Sequence, residues 1–151
     1  MLCVLCAHAY ADQARPQSQD ARTDAEIPPE RLLQPAELAS ILHSSAGEKP
    51  LILQVGSHVL YAEAHIPGSE YVGATGQDSG LQALRDRARS LPRDRLLVIY
   101  CGCCPWTRCP NIRSAYRELV SAGFTRVKAL YLAEDFGTNW VAQGYPVAKG
   151  R

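Results

Sequence analysis

The sequence predicts an α/β domain with a mainly parallel central sheet flanked by helices. Two kinds of segment lead there. Short, wholly apolar runs lie between Gly, Pro and charged residues, as strands buried on both faces require. Amphipathic stretches of helical period separate those runs. Strands alternating with helices suit a parallel sheet, because each parallel connection must cross over.

The full chain has 151 residues, 46% hydrophobic and 21% charged, with a net charge of +1. Domains cluster near ~100–150 residues, so one domain with a real core fits this length. The 16 basic residues are nearly all Arg and are interspersed among 15 acids. That balance supplies no basic stripe for nucleic acid. No apolar run reaches the ~18 residues that a membrane-spanning helix needs.

The elements follow in order. Residues 1–11 carry no Asp, Glu, Lys or Arg and end in Ala9-Tyr10-Ala11, a small-x-small pattern of the kind signal peptidase cuts. A secretion signal is expected there, with export to the periplasm in a bacterium. The basic residues that usually open such a signal are missing. Cys3 and Cys6 would leave with it, and Cys3-Val4-Leu5 ahead of Cys6 is not a lipobox. Residues 12–26 are polar and are expected to form a flexible leader.

A globular domain is expected over 27–148. Pro35 opens a helix that puts Leu38, Ile41 and Leu42 on one face. Leu51–Val55 is a strand bounded by Pro50 and Gly56. Leu81, Leu84, Ala88 and Leu91 mark a second helix, and Leu96–Tyr100 is a central strand apolar on both faces. Asn111 is placed to cap a helix through Ile112, Ala115, Tyr116 and Leu119, with Gly123 as its stop. Arg126–Leu130 is a further strand, and Asn139–Gln143 a helical turn.

Six cysteines are present, and four of them fall within Cys101–Cys109. The segment Cys101-Gly102-Cys103-Cys104-Pro105-Trp106-Thr107-Arg108-Cys109-Pro110 lies between the most apolar strand and a helix N-terminus. Ligands of open α/β sheets bind beyond the carboxyl ends of strands, so this loop is the expected site. Backbone N–H groups and a helix dipole stabilise a thiolate there, and Arg108 and Arg113 add positive charge. Such a thiolate can be a nucleophile, a persulfide carrier, a disulfide partner or a metal ligand. A phosphatase-type C-x5-R loop is absent, since Gly102 and Thr107 stand six positions before Arg108 and Arg113.

Four ordered motifs carry a resemblance. Ala64-His65-Ile66-Pro67-Gly68-Ser69 follows Tyr61, and Val98-Ile99-Tyr100-Cys101 joins a strand to a cysteine. Arg113-Ser114-Ala115 leads to Ala122-Gly123-Phe124, and Trp140, Gly144, Tyr145, Pro146 and Val147 close the chain. From about Ile27 to Val147 the sequence resembles the rhodanese-like (sulfurtransferase) domain family, as a variant with an extended Cys-rich loop. The resemblance implies sulfane-sulfur transfer through a cysteine persulfide, from a small sulfur donor to a thiol acceptor, with no cofactor. It makes Cys101 the carrier, with Cys103 and Cys104 as alternates. Gly102, Arg108, Arg113 and loop N–H groups would hold the anionic sulfur.

The pattern also departs from that family. Gln54-Val55-Gly56 stands where an Asp-x-Arg pair is usual, and Leu132-Ala133-Glu134-Asp135 where Gly-Gly is common. The loop is longer than C-x-x-G-x-R, and Cys103 has the C-x4-R spacing to Arg108. Two other uses of the loop stay open. Cys103, Cys104 and Cys109 could be redox or resolving partners in thiol-disulfide exchange. Cys101, Cys103, Cys104 and Cys109 could instead bind a soft ion such as zinc or copper(I) without catalysis. Local disulfides bracing the loop are the structural option. Elsewhere, His65 is expected to bond backbone, Tyr61 and Trp140 to fill the core, and Glu134 and Asp135 to be solvated.

Overall fold

The computed structural model describes residues 26–150. The expected signal at 1–11, and all of the expected leader except Glu26, lie outside the described residues. The strands are β1 (Leu32–Leu33), β2 (Leu51–Gln54), β3 (Glu70–Tyr71), β4 (Leu97–Tyr100) and β5 (Val127–Leu130). The helices are α1 (Pro35–His43), α2 (His58–Glu63), α3 (Asp78–Ala88) and α4 (Pro110–Ser121). One five-stranded sheet runs in the order β1-β5-β4-β2-β3, and all its pairings are parallel. This is the predicted α/β architecture.

β4 lies between β2 and β5, pairing Leu97 with Leu51 on one side and Val127 on the other. Successive strand side chains point to opposite faces. Leu97 and Ile99 accordingly join a layer with Leu84, Ile112, Ala115 and Leu119 of α3 and α4. Val98 and Tyr100 join the other layer, with Leu38 of α1, Ile66, Phe136 and Trp140. An unbroken apolar run is thus what a strand between two helical layers needs.

The helices form for local reasons. Pro35 occupies the first turn of α1, and Gln34 N–H donates to Glu37 Oε2 at 2.7 Å, closing a capping box. α3 buries Gly80, Leu84 and Ala88, one residue per turn on a single face. Gly123, at φ +90°, follows α4 as expected.

Some expectations need correction. Asn111 does not cap α4. The helix begins two residues before the expected start, at Pro110, with Cys109 in the cap position, because proline fits the first helical turn. Leu91 lies beyond the end of α3, and the turn expected at Asn139–Gln143 is a π-helical turn at Gly137–Val141. β1 and β3 are two residues each and too short to show a period in sequence. α2 has only a weak signal, Ser57 Oγ accepting from Leu60 N–H at 3.5 Å. No helix of the described residues is long and apolar enough to cross a membrane.

Trp140 closes the α1 layer. It is fully buried, its Nε1–H donates to Pro146 O at 2.8 Å, and its ring packs against Phe136 and Tyr145. Trp140→Ala is expected to cost about 3–5 kcal/mol. Urea unfolding followed by circular dichroism checks this, and a loss under about 1 kcal/mol would show that the layer closes without it.

Candidate functional site

β2 and β4 are neighbours whose outgoing connections diverge. β2 leads through α2 to β3 on one side, and β4 leads through α4 to β5 on the other. A crevice forms at the carboxyl ends of two such strands. The turn after β2 and the cysteine loop after β4 meet there. A Cβ built on Gly56 would lie 2.8 Å from Cys101 Sγ, so only glycine lets the two loops approach this closely. Gln54, fully buried, ties them together: its Nε2 donates to Cys101 O at 3.1 Å, and its Oε1 accepts from Gly56 N–H at 3.1 Å. A neutral amide thus does the joining where the sequence lacks the Asp-x-Arg pair.

Strand parity continues into the loop. Cys101 follows Leu97 and Ile99 onto the α3–α4 face and is buried at 5% exposure. Gly102 then reverses the chain at φ +75°, and its space is closed by Phe136, whose Cβ would be 2.6 Å from a side chain there. Phe136 N–H donates to Gly102 O at 3.1 Å. The reversal carries Cys103 back over its neighbour. Cys103 Sγ is 3.0 Å from Cys101 Sγ and 3.4 Å from Cys104 Sγ, and the three Sγ atoms lie within 4.8 Å of one another. Cys109, buried at the α4 cap position, interacts with the same three thiols. All four are free thiols.

Asn111 was read from the sequence as a cap, and its actual role was missed. Its Oδ1 accepts from Gly76 N–H at 2.7 Å. Because a backbone N–H can only donate, this bond fixes the amide orientation. Nδ2 is therefore turned to the sulfurs, at 3.3 Å from Cys101 and 3.5 Å from Cys103. Thr75, also buried, holds this residue from behind by donating to Asn111 O at 2.7 Å. The helix N-terminus and a fixed amide donor both favour negative sulfur at this place.

Within the cluster, the hydrogen bonds favour the negative form at Cys103 and the neutral form at its neighbours. Hydrogen bonds from Cys101 and then Cys109 hold its thiol well below the ordinary range; Cys104 and Asn111 add to this, and burial opposes it. Cys101 is pushed up, first as donor to Cys103 and then through Cys109 and burial. Cys104 is pushed up too, first by burial and then by its bonds to Cys109 and Cys103. One thiolate held by surrounding donors is the low-energy state of the group.

The structure brings Cys101, Gly102, Cys103, Cys104 and Cys109 together. It does not bring Arg108 or Arg113 into hydrogen bonds with the sulfurs. Arg108 is exposed, and Arg113 Nη1 donates to Thr107 O at 3.5 Å. Trp106 packs edge-on against Tyr131, and its backbone N–H donates to Ala133 O at 3.1 Å, which stitches the loop to the segment after β5. Glu134 and Asp135 form no ion pair with the loop arginines among the described residues. Their N–H groups instead donate to Asn139 Oδ1. His65 Nδ1 bonds Tyr61 O at 2.8 Å, in keeping with a structural role.

No family model and no curated protein matches the chain. Solved structures do. The Alr3790 protein from Anabaena sp. is 26% identical with a TM-score of 0.59, over 78% of this chain and 92% of that one. The solution structure of the rhodanese-like domain of the same protein gives 25% identity and a TM-score of 0.58, covering 79% of each chain. A rhodanese-like domain protein from Staphylococcus aureus shares the fold at 17% identity, with a TM-score of 0.52 over 79% of this chain and 99% of that one. The fold found here is that of the rhodanese-like domains, with a Cys-rich loop at the strand end.

The acidity of Cys103 can be measured directly. Its alkylation by iodoacetamide is expected to stay fast below pH 6, where a thiol of ordinary pKa near ~8.5 loses about tenfold per pH unit. Asn111→Leu removes the amide donor and is expected to raise the apparent pKa by about one to two units. An unchanged pH profile in the variant would remove Asn111 from the site.

Proposed function

We propose that this rhodanese-like domain is a sulfane-sulfur transferase whose loop takes sulfur onto Cys103. The observation that carries the reading is the central place of Cys103 Sγ at the β2–β4 crevice, 3.0 Å from Cys101 Sγ, 3.4 Å from Cys104 Sγ and 3.5 Å from the Asn111 amide nitrogen. A transferase of this type needs an anionic sulfur held ready by donors, both before and after it takes up a second sulfur.

With thiosulfate as donor, the Cys103 thiolate attacks the outer sulfur. The new S–S bond makes a Cys103 persulfide anion, and sulfite leaves with the electron pair of the broken bond. The negative charge passes to the outer sulfur, one bond further from Cys103 Sγ. A thiol or cyanide acceptor then removes that sulfur and returns the thiolate. Cys103 is half-buried while Cys101 is 5% exposed, so an external donor meets Cys103 first. Arg108, exposed on the same loop, is placed to attract an anionic donor by long-range steering rather than by contact.

A second reading rests on a separate observation. Three cysteine Sγ atoms within 4.8 Å of one another form a donor set suited to a soft ion such as copper(I) or zinc. Cys101, Cys103 and Cys104 would then be ligands. The protein would bind metal without transferring sulfur.

Thiocyanate formation from thiosulfate and cyanide tests the first reading. Cys103→Ser is expected to lower the rate about a hundred-fold or more. Retained activity in that variant, with loss in Cys101→Ser, would move the carrier to the strand end. No transfer by the wild type from thiosulfate or a small persulfide, together with one tightly bound copper(I) or zinc per chain, would establish the metal reading.

A further inference from the structure

We propose that Cys101 resolves the Cys103 persulfide, so that the loop releases sulfide and cycles through a Cys101–Cys103 disulfide. This step rests on the sulfur-transfer reading above and names the acceptor within the same loop. Three structural facts support it.

The first is distance. Cys101 Sγ and Cys103 Sγ are 3.0 Å apart, within the ~3–3.5 Å at which reacting atoms are poised. A persulfide on Cys103 would have this thiol beside its inner sulfur, at an effective concentration no free acceptor reaches. The second is burial. At 5% exposure, Cys101 is closed to external donors and acceptors. A reaction with its neighbour in the loop is the chemistry left to it. The third is the backbone. Gly102 at φ +75° folds the two cysteines face to face, and Phe136 packs where a side chain would stand. Asn111 Nδ2 spans both sulfurs. The pair is held for closure by more than the chance proximity of two thiols.

The step balances. The Cys101 thiol attacks the inner sulfur of the Cys103 persulfide, and the Cys101–Cys103 bond forms as the bond to the outer sulfur breaks. The outer sulfur leaves with the electron pair and takes up the Cys101 proton, departing as hydrosulfide. The sulfane sulfur is reduced to sulfide while the two thiols are oxidised to a disulfide. A dithiol reductant, small or protein-borne, then attacks at the more accessible Cys103 sulfur and leaves as its own disulfide, restoring both thiols. Closure needs the two sulfurs to move from 3.0 Å to the ~2.05 Å of a disulfide, a shift that rotation about the side-chain bonds supplies. Cys104, at 3.4 Å from Cys103, is its direct chain neighbour. A ring between adjacent cysteines distorts the intervening peptide bond, whereas Gly102 gives the Cys101–Cys103 ring its turn.

The test adds thiosulfate to reduced, reductant-free protein and reads sulfite, sulfide, intact mass and a disulfide map. The wild type is expected to release one sulfite and one sulfide per chain and to lose two hydrogens. The map should show Cys101 linked to Cys103, and added dithiothreitol should make sulfide release catalytic. Cys101→Ser keeps a hydroxyl donor beside Cys103 and is expected to gain one sulfur and hold it, with sulfide release at least tenfold slower. Sulfite release followed by a stable persulfide in the wild type would overturn this step alone. A linkage of Cys103 to Cys104 or Cys109 would overturn the choice of Cys101. No sulfite from either chain would sink the sulfur-transfer reading and this step with it.

Discussion

The parity of β4 governs most of what surrounds it. Because the strand pairs on both edges, it cannot rotate, and each residue is committed to one layer or the other. Leu97 and Ile99 build the floor under α3 and α4. Tyr100, on the opposite face, sends its hydroxyl to Ile66 N–H and Ser69 Oγ, both at 3.2 Å, and so secures the turn after α2. Desolvation pushes that phenol up to about 12, so it stays a neutral hydrogen-bonding group. One residue further on, the same alternation turns the Cys101 thiol toward α4. A slip of a single residue would exchange the tyrosine and cysteine faces and abolish both the anchor and the site.

Above that floor, the donors seen around the cluster are neutral groups. Neither Arg108 nor Arg113 hydrogen-bonds the sulfurs, and the buried amide of Gln54 stands where the family resemblance implies an Asp-x-Arg pair. The donors are thiols, one side-chain amide and the start of a helix. A neutral cradle would suit the proposed persulfide, whose charge lies one sulfur atom further out, because thiol donors are soft and can exchange roles with the acceptor they surround. A fixed ion pair would bind its counter-charge at one point. Burial of Cys101, Cys109 and Asn111 limits competition from water at their end of the cluster, which strengthens these weak donors.

Much of the fold was legible because periodicity reports burial. The runs at Leu51–Val55 and Leu96–Tyr100 and the helical face of Ile112, Ala115 and Leu119 were long enough to show their periods. β1 and β3 were not, at two residues each, since pairing with a neighbouring strand defines them and no local pattern does. The position of the loop was legible too, from the strand before it and the helix after it. Its inner arrangement was not. Asn111 looked like a cap because caps favour Asn, and only its long-range bond to Gly76 shows that the amide serves the sulfurs. Gln54 and Gly56 showed in the sequence only as a missing Asp-x-Arg pair, and their role stayed hidden because it depends on a loop far away in the chain. Likewise, the choice between Cys101 and Cys103 turns on which sulfur sits centrally among the donors, a matter of three-dimensional packing.

All four thiols of the described chain belong to one short loop, and the closest pair has a single residue between them. A cross-link stabilises a fold mainly by restricting the unfolded chain, and the effect grows with the length of the ring it closes. Joining Cys101 to Cys103 closes a very small ring, and the disordered chain loses little freedom from it. Opening that ring gives little back. Thermodynamically, making or breaking that cross-link is therefore nearly decoupled from the stability of the domain, and a proposed cycle through it would leave the fold's stability almost unchanged.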